Sequence, residues 1–114
     1  MKIDNYHFEP IPKKLNSQQL FELEGQILQS IPFLQKNLER MVTYLKKESY
    51  LNNFIEIDLP FFGSNISFRI FMFKEKIVIS VISYNDSDHL GHLIINDPNY
   101  LDIENIKKLE TKIH

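Results

Sequence analysis

A chain of 114 residues that is 43% hydrophobic, with nine Phe and five Tyr, has the material for one domain (1–114) around one core. It has no cysteine, which excludes disulfides, thiolate metal ligands and cysteine nucleophiles. Its formal charge is −2, and no segment has the density of Lys and Arg that a phosphate-backbone binder needs, so nucleic acid is not an expected partner.

Residues 1–16 carry Pro10 and Pro12 and show no sustained period, so they are expected to form an extended arm. They contain no apolar h-region, and no apolar run in the chain approaches the roughly 18 residues of a membrane span. No membrane association is expected, and the cytoplasm is the expected compartment. From Asn16 onward, Leu20, Leu23, Ile27 and Leu28 fall at helical spacing, with Asn16 and Gln19 as a capping box or Ser17 as the alternative cap. A second helix follows, capped by Ser30 with Pro32 in its first turn. Its broad apolar stripe is Ile31, Leu34, Leu38, Met41, Val42 and Leu45, with Gln35 on the outer side. Pro32 argues against one smooth rod through both helices.

After Asn53 the hydrophobic period changes from 3.6 to 2. Ile55, Ile57 and Leu59 alternate with Glu56 and Asp58, as in a half-exposed strand, until Pro60 and Gly63 break it. "ISFRIFMF" and "IVISVISY" are two further strands joined by the short link "KEK", the second of them apolar on both faces and therefore central. "LGHLIIN" is a weaker fourth strand. Asp102 then caps a last helix with Ile103, Ile106, Leu109 and Ile113 on its apolar stripe. Links this short exclude parallel crossovers. The expectation is an α+β domain in the order ααββββα, a four-stranded antiparallel meander with helices packed mainly on one face.

Chemistry is concentrated in "SYNDSDHLGH", residues 83–92. Asn85, Asp86, Ser87 and Asp88 are residues that stabilise a turn through their own backbone. His89 and His92, three apart on an extended strand, should point to opposite faces as surface side chains. A metal-assisted hydrolase using His89, His92 and Asp88 is the enzyme alternative, and it requires three ligands to converge. The D-x-D spacing matches the start of a calcium loop but lacks its glycine and terminal glutamate in register, so neither a metal nor another cofactor is expected. Glu56 and Asp58 share a strand face, but a solvated pair keeps ordinary acidity and makes a poor general acid. Glycines at 25, 63 and 91 are too dispersed to cradle a phosphate.

Arg69, Phe71 and Phe73 lie on the strand face opposite Phe68 and Met72. Helices on one side only would leave those rings to the N-terminal arm, through Tyr6, Phe8 and Ile11, or to a partner. Charge is uneven: residues 54–102 hold three basic and seven acidic side chains, a net of −4. The expected function is therefore non-catalytic protein binding, by an inhibitor or toxin-neutralising immunity protein that occludes a more basic protein partner. Glu56, Asp58, Arg69, Phe71 and Phe73 are the expected contact residues. A homodimeric structural or adaptor protein built on the same sheet face is the other alternative.

Overall fold

The two expected helical stripes join end to end. In the computed structural model, which describes Ile3, residues 5–49 and residues 56–113, a single helix α1 (Ser17–Ser49) passes through Pro32. Leu23, Ile27, Leu34, Leu38, Val42 and Leu45 are all buried along it. One continuous apolar seam thus outweighs the hydrogen bond that proline removes. Ser30, expected as a cap, keeps helical backbone, and its buried hydroxyl donates to the Ile27 carbonyl (2.7 Å). The true start is the expected capping box. The Gln19 N–H donates to Asn16 Oδ1 (2.8 Å), and the Asn16 N–H donates back to Gln19 Oε1 (3.0 Å). Gln35 is only half-exposed and accepts the Ile3 N–H (3.1 Å).

Five strands follow one another across the sheet. They are β1 (Tyr6–Pro10), β2 (Glu56–Pro60), β3 (Ile66–Phe73), β4 (Lys76–Ser83) and β5 (His89–Ile95), all antiparallel in the order β1-β5-β4-β3-β2. The expected meander is present as β2 to β5. Residues expected to be only an arm add a fifth strand to it, because Phe8 is buried and Tyr6–Pro10 pairs with Ile95–Gly91. Among the described residues the fold is thus α+β with two helices and a five-stranded antiparallel sheet, and the expected ααββββα four-stranded arrangement is incorrect on both counts. The β3–β4 link is the dipeptide Lys74-Glu75, both with positive φ (50° and 64°), as a two-residue turn matched to sheet twist requires. Ile55 and the side chain of Ile113, assigned to a strand and a helical stripe, lie outside what is described.

The helices occupy opposite faces, so the expected one-sided packing is also corrected. The α1 stripe packs with Phe8, Ile66, Phe68, Ile70, Ile77, Ile79, Val81, Leu93 and Ile95. After β5 the chain bridges back to β4, with the Leu101 N–H donating to the Ile77 carbonyl (3.0 Å). That crossing sends Tyr100 into the α1 core and Leu101 into the second one. Helix α2 (Ile103–Ile113) then covers the second face through Ile106 and Leu109, packed with Phe71 and Val78. Asp102 caps it as expected, accepting the Asn105 N–H (2.9 Å), and this bond holds the Asp102 carboxyl below its usual range. Strand β3 alternates between two cores because each face has its own helix.

Candidate functional site

Strand register lines up one polar residue from every strand on the face that carries α2. Glu9 stands opposite His92, His92 opposite Ser80, Ser80 opposite Arg69, and Arg69 opposite Asp58. Residues paired across a ladder share a face of the sheet, so the register brings the five to one line.

At one end of the row, Arg69 forms a two-pronged bond to Asp58, Nε to Oδ1 at 2.8 Å and the second guanidinium nitrogen to Oδ2 at 3.1 Å. Glu56 adds a looser contact at 3.5 Å. The Asp58 hydrogen bonds, with the charges of both acids, hold the guanidinium above its ordinary value. Three of the five expected contact residues are thus brought together, as an ion cluster at the β2 edge. Phe71 is separate from them: it is 8% exposed and packs in the α2 core, with Phe73 partly buried beside it. The N-terminal arm, through Phe8, lies in the other core and does not cover these rings.

Residues 84–86 form the expected turn between β4 and β5. The Asp88 N–H donates to Asp86 Oδ1 (3.0 Å), which holds the Asp86 carboxyl below its usual range. The histidines differ from expectation. Ile82 pairs with His89 and Val81 with Gly91, so Leu90 is an extra residue, a β-bulge. The bulge restores both histidines to one face, with ring centroids 4.6 Å apart. His92 is fully buried, not a surface side chain. The ligand set proposed for a metal does not converge: Asp88 pairs with Lys14 on the surface, whereas His92 turns inward to Glu110. Among the described residues no group of three or more His, Asp or Glu is arranged to hold a metal ion.

Glu110 is the residue that sequence reasoning missed. Its Oε1 lies 2.8 Å from His92 Nδ1, and both side chains are buried. Its place four residues after Ile106, on the inner face of α2, was the available signal. Burial, with the nearby His89, pushes the His92 imidazolium down to about 3. Burial, reinforced by Glu9 and opposed by Lys107, pushes the Glu110 carboxyl up to about 7. His92 Nε2 is buried and bonds to no other group among the described residues, and Ser80 across the strand is buried too. The imidazole is thus held neutral, the carboxyl keeps its proton up to about pH 7, and both lie buried, with Ser80 opposite His92 in the row.

That pair sets a testable pH dependence. The Glu110 contribution to stability is complete below its unfolded value of 4.5 and is lost as pH rises through about 7. The His92 contribution runs the other way, complete above 6.5 and lost as pH falls towards 3. Glu110→Gln removes only the first, so the variant should gain about 1 kcal/mol on the wild type between about pH 6 and pH 8. Urea unfolding across that range measures it, and parallel curves would show that Glu110 does not titrate there.

A second region is apolar and open. Phe21 and Leu28, seven residues apart on α1, are 78% and 62% exposed. With Tyr6 and Phe8 of β1 they border a groove of about 600 Å³. Glu22 and Glu24 also line it, and among the described residues no Lys or Arg does. Gly25 forms part of its wall; a Cβ there would meet no atom within 4 Å. Glycine inside a helix costs about 0.5–1 kcal/mol relative to alanine, and no packing contact accounts for it here. Nothing in the expected site pointed to this groove, because its two walls come from separate segments of the chain.

No family model matches the chain, and no curated protein or solved structure matches it either. Among the described residues, no helix is long and apolar enough to cross a membrane.

Proposed function

We propose that this is a non-catalytic protein-binding domain, an inhibitor or immunity protein that occludes a more basic protein partner in the cytoplasm. One contrast carries the reading. The candidate acid–base groups, His92 with Glu110 and Asp58 with Arg69, are buried or ion-paired, whereas two of the large exposed apolar side chains, Phe21 and Leu28, flank an acid-lined groove. Acids at the β2 edge, Glu56 and Asp58 around Arg69, extend the negative field that would draw in such a partner. The absence of cysteine suits a reducing compartment.

Affinity capture with the full chain from its native host, followed by reconstitution of the purified pair, is the test. The expected result is a stoichiometric complex with a basic protein whose own activity falls on binding. Exchanging both edge acids (E56K/D58K) should slow association and flatten its salt dependence. Retention of nothing beyond what a heat-unfolded control retains would overturn the reading.

A further inference from the structure

Building on that protein-binding reading, we propose that the groove takes a basic, extended segment of the partner. The segment adds as a strand to the outer edge of β1 and seats an apolar side chain between Phe21 and Leu28. Strand β1 ends the sheet order, and among the described residues no strand pairs with its outer side. Its outward-facing backbone groups are therefore available to an added chain, as in other cases of strand addition. Pro10, which has no N–H, ends the donor row, so the pairing spans Tyr6–Glu9.

An extended segment alternates its side chains, so every second residue enters the groove while those between them face outward. Glu22 and Glu24 line that same groove, so they decide the charge of the groove-facing positions on either side of the seated apolar residue: lysine or arginine meets them favourably, and aspartate or glutamate does not. The same two acids disfavour an anionic membrane surface as the occupant. Gly25 supplies the remaining observation. A Cβ there would meet no atom within 4 Å, so the open space at 25 belongs to the groove and not to the packed core.

The probe is an acetylated peptide of about eight residues with a central leucine, lysine two positions before and after it and serine between them, titrated into the isotope-labelled full chain and followed by NMR. Its control has glutamate in place of lysine. The lysine peptide should shift amides of residues 6–9 and 21–28, and the control should not. Gly25→Leu fills the groove while improving helix propensity, so it should fold with an unchanged or higher Tm and bind at least about tenfold more weakly. Phe21→Ser, at an exposed position, should weaken binding to a similar degree. Equal binding of both peptides, or undiminished binding to G25L, would overturn the proposal. Shifts confined to the Glu56 and Asp58 edge would overturn the groove while leaving the protein-binding reading intact. If neither peptide binds, the partner captured from the host decides: loss of that partner in G25L supports the groove, and full retention removes it. A wild-type chain that captures no partner defeats the broader reading instead. A concentration-dependent dimer abolished by Phe21→Ser would assign the seat to a second copy and overturn the proposed occupant.

Discussion

Gly91→Ala should detach β1 from the sheet and destabilise the protein by about 3 kcal/mol or more, at the upper end of overpacking effects. A Cβ at this position would lie 2.4 Å from the Glu9 carbonyl oxygen, and 2.7 and 2.8 Å from two carbons of the Phe8 ring. The ring can turn aside, but the backbone oxygen cannot move without loss of the β1–β5 ladder in which Gly91 stands opposite Pro10. Shortening the ring as well, in Phe8→Leu with Gly91→Ala, should therefore fail to rescue it. Denaturant titration and amide exchange at residues 6–9 measure the two parts of the effect. A variant within about 0.5 kcal/mol of wild type would mean that the strands lie further apart than described.

Leu38→Ala should cost roughly 2–5 kcal/mol, through lost transfer energy and the cavity left behind. Leu38 has no exposed surface and sits midway along the α1 seam. Lys36→Ala is the matched control on the exposed side and should cost less than about 0.5 kcal/mol. Gln35 does not serve as that control, because it accepts the Ile3 N–H. Its truncation should cost an intermediate amount, about 0.5–1.5 kcal/mol. Equal losses for Leu38 and Lys36 in urea titrations would show that the buried face is misassigned.

Local signals were legible where the physics is local. The capping box at Asn16 and Gln19, the cap at Asp102, the α1 seam and the turn at 84–86 each depend on neighbours within a few positions. Contacts made across the chain were not legible. Residues 6–10 have no period of their own, and only pairing with β5 makes them a strand. Pro32 signalled a break, yet a seam packed on the sheet at both ends keeps the helix continuous. The bulge at Leu90 reversed the alternation rule for the histidines, since one extra residue moves everything beyond it to the other face. A last helix on the α1 side of the sheet would leave Phe71 to a partner; α2 lies on the other side and covers it.

The closing of the sheet also sets an order in time. Pro10 pairs with Gly91 and Tyr6 with Ile95, separations of 81 and 89 residues. At synthesis rates of about 5–20 residues per second, residues 6–10 wait roughly 4–18 s on the ribosome for the strand that receives them. Helix α1 is made early in that interval, so its seam of leucines meets β2, β3 and β4 before the sheet reaches full width. Folding must begin with the consecutive hairpins against α1, and β1, made before all of them, is among the last to dock. Until it does, β5 presents an open edge of the sheet, so the nascent chain is most at risk of strand exchange with a neighbour in the interval before β1 docks.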